Sequence, residues 1–181
     1  MTNEKYVRRS GVVIMASLIT LLGSLAYIMI LAVINGSVGF IVAMGVTLMG
    51  AVGIAKSLGE AIPLSYGTII ALTIGFGLLR GFLRYLEQYS NHYIAFKLLA
   101  VLRDKIFRAL RILCPAKLES KQKGAIISMI TADIETLEVF YAHTISPICI
   151  AIIVSTCVTL FVGFTVNWYL AFIALLGYLT I

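Results

Sequence analysis

Apolar residues run along this chain in long blocks, and the charges gather between the blocks. From Ser10 to Ala55 no Asp, Glu, Lys or Arg appears, about 46 residues where one membrane span needs about 20. A second apolar run, Pro63 to Leu79, passes without a helix breaker into a stretch of different rhythm. There Leu99, Leu102, Ile106, Leu110 and Leu113 recur at steps of three and four, while Arg103, Asp104, Lys105, Arg108 and Arg111 take the other faces. Asp104 stands four residues before Arg108, the favourable order for a helical ion pair. Pro115 ends this pattern, and a short basic link of Lys117, Glu119, Lys121 and Lys123 leads past Gly124 into a second amphipathic arm. That arm carries Ile127, Ile130, Ile134, Leu137 and Tyr141 on one side and Asp133, Glu135 and Glu138 on the other. After Glu138 no charged side chain follows to Ile181.

The pattern predicts helices throughout and two arms folded back as an antiparallel hairpin. With no breaker between Leu64 and Pro115, the second span is expected to be a rod of about 75 Å, of which about 30 Å fits in hydrocarbon. Short glycine spacing at Gly77 and Gly81 suggests close helix contact there, and Pro147 is expected to kink the third span.

Composition fixes the class. With 61% hydrophobic and 12% charged residues and a mean hydropathy of +1.04, the chain lies outside the range of soluble domains and reads as an integral membrane protein. The net charge of +6 is explained by basic residues flanking apolar spans on the cytoplasmic side, so nucleic acid is not an expected partner. Lys5, Arg8 and Arg9 precede an apolar run, yet no small-residue cleavage site leads into a polar mature domain, so the N-terminus is expected to be retained. Cys114, Cys149 and Cys157 indicate neither a disulfide nor a metal site.

Charge also decides the number of crossings. Two spans before Ala55 would leave the basic stretch from Arg80 to Lys123 outside, against the positive-inside rule. The expected order is therefore an interfacial elbow helix at about 10–24, a first span at about 27–55, and an outer turn from Leu58 to Pro63. A second span with its extension follows at about 64–113, then the link 115–123, a third span at about 124–164, and the start of a fourth at about 168–181 with Trp168 and Tyr169 as interfacial aromatics. Because the chain stops inside a span, a longer protein is expected.

This organisation resembles the first half of the transmembrane domain of ABC exporters of the type I exporter fold. Gly124-Ala-Ile-Ile-Ser-Met-Ile-Thr-Ala-Asp133 is similar to the pattern after the first coupling helix of that family, departing at Ala125 and Met129. More specifically, Arg84-Tyr-Leu-Glu-Gln-Tyr-Ser-Asn-His92, Leu102-Arg-Asp-Lys-Ile-Phe-Arg-Ala-Leu110, Cys114-Pro-Ala-Lys-Leu118 and Tyr141-Ala-His-Thr-Ile-Ser-Pro147 resemble the CydC subunits of heterodimeric thiol reductant exporters. The resemblance implies an all-α membrane domain in the bacterial inner membrane with a cytoplasmic N-terminus. It implies a CydD-like partner subunit and nucleotide-binding domains, absent from these residues, that use ATP and Mg. It implies export of cysteine- or glutathione-type thiols in support of cytochrome bd assembly, with haem a further possible cargo. Lys117, Leu118, Glu119 and Ser120 fall on the first coupling helix. No GxxxxGK[ST] phosphate loop occurs in these residues, so nucleotide chemistry is expected elsewhere in the full-length protein.

Arg80, Arg84, Glu87 and His92 stand near the inner end of the second span, and ionisable groups at such depth face a cavity or a partner. Arg80 and Arg84 are candidates for cargo carboxylates, or for haem propionates with His92 on the iron. The structural alternative is an internal Arg84–Glu87 pair with His92 at the water interface. Two rival identities remain: an ABC half-transporter for lipids, peptides or drugs, and a four-span electron-transfer protein holding haem or quinone between His92 and His143. The second requires those histidines at similar depth on neighbouring helices, and the hairpin argues against it, because His92 lies where the second span leaves the membrane and a redox module has no use for a long cytoplasmic projection. No catalytic constellation stands out.

Overall fold

The computed structural model describes Thr20 and residues 23–113 and 123–180. Most of the expected elbow helix, Cys114, and the link up to Gln122 with Lys117, Leu118, Glu119 and Ser120 lie outside the described residues. A short 3-10 turn, Gly23–Leu25, leads into α1 (Ala26–Ser57). Then come α2 (Tyr66–Leu113), α3 (Lys123–Phe140), a π-helical turn (Tyr141–Ile145), α4 (Ser146–Thr165) and α5 (Trp168–Leu179). All regular structure among the described residues is helical.

Three helical stretches, Ala26–Ser57, Tyr66–Ile112 and Ile130–Thr165, are long and apolar enough to cross a bilayer. The chain is a multi-pass membrane protein. Its helices are apolar on nearly every face because lipid or further helices, not water, surround them, and backbone groups at that depth must be satisfied within each helix. At 48 residues, α2 is about 72 Å long, more than twice what hydrocarbon covers.

The turn between α1 and α2 is built by specific donors. Gly59 takes φ +98°, a conformation that costs a side chain dearly and glycine little. Lys56 donates from Nζ to the Ile62 carbonyl at 2.8 Å. Ser65 starts α2, its Oγ accepting from the Thr68 amide at 3.1 Å, the arrangement of an N-cap. At the other turn, Asn167 Oδ1 accepts from the Tyr169 amide at 2.8 Å and so caps α5.

Packing between helices falls into levels. At one level α1, α2 and α4 meet so closely at Gly36 that a Cβ there would collide with Ile150 Cδ1 and lie 3.0 Å from Glu87 Cδ. Two to three turns further toward the α2–α3 link, Met29, Ile94, Ala95, Leu98, Tyr141 and Ala142 form the main apolar core. Between these levels helical spacing places Ala32, Asn91 and Ser146, each fully buried. The close approach expected at Gly77 and Gly81 is not found among the described residues: a Cβ at either would meet open space there. Close contact comes instead from glycines of α1, Gly36 against Ile150 and Glu87 and Gly45 against the Phe76 ring.

The two arms pair as their stripes require. Leu99, Ile134 and Tyr141 are buried, and Ile106 and Leu110 of α2 face Ile130 and Ile134 of α3. Arg103, Lys105, Arg108 and Arg111 stay exposed, and Arg108 Nε meets Asp104 Oδ2 at 2.9 Å. The departure from α geometry expected at Pro147 takes the form of the π turn directly before it. Thr144 Oγ1 reaches the Val139 carbonyl five residues back, at 3.5 Å. Proline has no N–H to close the preceding turn, and a π turn is one way a helix absorbs that loss.

Candidate cargo cavity

An apolar cavity of about 690 Å³ opens between α1, α2, α4 and α5, lined among others by Phe40, Arg84, Glu87, Pro147, Ile150 and Tyr178. Its two charged lining groups are bound to each other. Arg84 NH1 donates to both carboxylate oxygens of Glu87, each at 2.8 Å. Three residues apart on one helix, they share a face, but their surroundings differ. Glu87 has 3% of its side chain exposed and Arg84 51%. The carboxylate is sunk against Gly36 of α1, where only a residue without a side chain leaves room, whereas the guanidinium extends to the cavity. A guanidinium has five N–H donors in a planar fork. Glu87 engages one of its nitrogens, and the others suit a second planar anion.

Arg80, one turn from Arg84, lies beside the cavity rather than in its lining. Its NH1 donates to the Gly39 carbonyl of α1 at 3.1 Å, and its guanidinium sits 5.3 Å from the centre of the Phe40 ring, which itself lines the cavity. Two guanidiniums against one carboxylate leave this level of the membrane with net positive charge. Such charge in low dielectric favours anions strongly.

His92 is placed elsewhere. Its ring stands edge to face with His143 at 5.3 Å and stacks with Phe96 at 5.9 Å, and Nδ1 lies 3.8 Å from Glu138 Oε1. Of the four candidate residues, the structure therefore brings Arg84 and Glu87 together in the cavity wall, sets Arg80 behind Phe40, and puts His92 two turns away in a different cluster. The internal Arg84–Glu87 pair weighed as the structural alternative is present. The nearness that the electron-transfer alternative requires of His92 and His143 is present, with His143 on the π turn set against His92 of α2. Among the described residues no group of three His, Cys, Asp or Glu stands in metal-holding geometry, and Cys149 and Cys157 are free.

Residues that sequence reasoning missed are Phe40, Asn91, Glu138 and Tyr178. Asn91 was the most findable, since a carboxamide four residues after a carboxylate in a membrane helix needs a polar neighbour. Phe40 and Tyr178 carried no signal, because aromatic residues in apolar spans are ordinary.

The family model for the ABC transporter transmembrane region matches residues 25–181. A protein of Haemophilus influenzae described as a probable ABC transporter ATP-binding/permease protein is 45% identical over 175 residues, 97% of this chain and 32% of that protein. The glutathione/L-cysteine transport system ATP-binding/permease protein CydC of Escherichia coli is 35% identical over 96 residues, 51% of this chain and 17% of that protein. The chain thus spans about a third of the length of the first relative. Long helices paired beyond the membrane, a charged cavity between the spans and a family match over nearly all the described residues agree, and the chain belongs to the ABC transporter transmembrane family.

Proposed function

We propose that this chain supplies the first spans of one half of a heterodimeric ABC exporter in the bacterial cytoplasmic membrane, and that its cavity takes anionic thiols of the cysteine or glutathione type. The observation that carries the reading is the Arg84 guanidinium, half exposed at the wall of an apolar cavity with Arg80 behind it. Carboxylates of a small peptide thiol match a guanidinium fork, and the apolar wall admits the thiol and methylene groups. The similarity to CydC of Escherichia coli supports the thiol class and a CydD-like partner, and the Haemophilus relative supports ATP hydrolysis by the full-length protein. In this reading the link 115–123, with Lys117, Leu118, Glu119 and Ser120, docks on a nucleotide-binding domain. Closure of two such domains on ATP and Mg moves the paired arms as a stiff lever and switches the cavity between its two openings.

Haem is the second reading. His92 is 38% exposed at its side chain and lies beside the Phe96 ring, an accessible imidazole next to an aromatic surface, with Arg84 two turns along the same helix as a partner for propionates.

The test is ATP-driven uptake into inverted membrane vesicles carrying the complete exporter. Uptake of labelled glutathione or cysteine that needs ATP and is lost in Arg84→Ala supports the thiol reading. Uptake of haem alone, lost in His92→Ala, supports the second reading, and uptake of neither overturns both.

A further inference from the structure

Glu87 is the sole acidic side chain between Glu60 and Asp104, and it is buried to 2% exposure with its charge spent on Arg84. Any anion arriving at Arg84 meets a guanidinium already engaged by an internal carboxylate. One helical turn along α2, Asn91 is fully buried, and among the described residues neither its Nδ2 nor its Oδ1 has a hydrogen-bond partner. On α1, Ser37 is 7% exposed and its Oγ is likewise unpartnered among the described residues. Its neighbour Gly36 is the residue whose Cβ would lie 3.0 Å from Glu87 Cδ. Buried polar groups are satisfied in the great majority of proteins, and each exception calls for an explanation. Asn91 stands four residues after Glu87, the spacing of direct neighbours on a helix, and Ser37 adjoins the glycine against which the Glu87 carboxylate packs.

We propose that Glu87 is a built-in competitor for the cargo's anionic group and moves between two seats. In the first seat it neutralises Arg84. When a cargo carboxylate takes Arg84, the Glu87 side chain turns about its own rotatable bonds to the second seat, where Asn91 Nδ2–H and Ser37 Oγ–H donate to it. The inference rests on the anionic-cargo reading above and adds a specificity device to it. A weak or singly held anion fails to displace Glu87, while one that also fills the apolar cavity succeeds, so the site discriminates between cargo and the abundant small anions of the cell. The titratable groups around Glu87 are few: Arg84 and Arg80 on α2, none on the facing stretch of α1, and His92 five residues along α2, which is itself gathered with His143 of the π turn and Glu138 of α3. Among the described residues Arg84 is the cation that pairs with the carboxylate, and the second seat is made of neutral donors. Gly36 leaves space for the carboxylate between them.

The test uses the complete exporter with its partner subunit in nanodiscs, reading ATPase stimulation as a function of glutathione concentration. Glu87→Gln keeps the shape and removes the competing charge, so half-saturation shifts about tenfold lower, as loss of one charge-assisted bond implies. It also relaxes selectivity, so that acetate, inert on the unaltered protein, begins to compete. Asn91→Leu removes the second seat, so half-saturation shifts severalfold higher, and this shift vanishes when Glu87→Gln is also present. Unchanged or weaker glutathione response in Glu87→Gln, or an Asn91→Leu effect of equal size with and without Glu87, overturns the inference while leaving an Arg84-dependent response intact. Absence of any glutathione response in the unaltered exporter overturns the underlying reading and this one with it. Should Glu87→Gln fail to assemble, Glu87→Asp serves: its shorter reach weakens the first seat, so half-saturation falls, and no fall contradicts the proposal.

Discussion

The imidazoles of His92 and His143 stand edge to face with ring centres 5.3 Å apart, across the joint between α2 and the π turn. Without the π turn, the residues after Tyr141 would rotate onward at the α-helical period, and His143 would leave this face. The extra residue per turn, placed before a proline that has no N–H to give, couples an irregular backbone to a specific side-chain contact. Glu138 lies five residues before His143 and approaches His92 at 3.8 Å, so the same turn aligns both of its neighbours.

This contact predicts coupling. In the complete exporter, His92→Ala and His143→Ala each lower the thermal midpoint, and the double variant loses less than the sum. The interaction energy is about 0.5–1.5 kcal/mol, the range for aromatic pairs. Strict additivity in a double-mutant cycle of thermal unfolding contradicts the contact.

Gly36 is expected to be intolerant where Gly77 and Gly81 are not. Gly36→Val drives a side chain into Ile150 and the Glu87 carboxylate and costs about 1–3 kcal/mol, the scale of overpacking. Alanine at Gly77 or Gly81, which face open space, is neutral or slightly stabilising through helix propensity. Thermal midpoints of the three variants in detergent decide it.

Removing one member of the ion pair is worse than removing both charges. Arg84→Ala leaves Glu87 buried without its partner and destabilises by about 1–3 kcal/mol, a figure kept low because Arg84 is half exposed. Adding Glu87→Gln restores most of that loss. If the double variant is less stable than Arg84→Ala alone, the carboxylate has another partner in the resting protein.

At the link, charge reversal at Lys117 combined with Leu118→Trp is expected to separate ATP hydrolysis from transport. Under the proposed coupling role, basal ATPase persists within about twofold while ATP-driven uptake falls about tenfold or more, since contact with the nucleotide-binding domain is weakened while that domain is left intact. Retention of both activities contradicts the coupling role.

Much of the fold was legible because membrane helices announce themselves by composition, and the arms by a change of period. Leu99, Ile134 and Tyr141 lie buried where the spacing put them, and Asp104 meets Arg108 as four-residue spacing implies. What was not legible depends on which faces meet. Gly77 and Gly81 satisfied a contact pattern but found no neighbour, since a short motif says nothing of whether a helix stands opposite. The nearness of His92 to His143 turned on one π turn, a local change of register that no period-based reading detects. In the candidate site, Arg84 and Glu87 were found by charge at depth, whereas Asn91 needed the three-helix level around Gly36 before its isolation had meaning.

The central claim is that Arg84 receives an anionic cargo in the cavity beside Glu87. It is tested most directly by ATPase stimulation of the complete exporter in nanodiscs, titrated with glutathione and with haem, for the unaltered protein and Arg84→Ala. The account predicts saturable stimulation that Arg84→Ala weakens by about tenfold or more in half-saturating concentration, the loss expected for one guanidinium–carboxylate contact. Stimulation by both ligands that is unchanged in Arg84→Ala would contradict it.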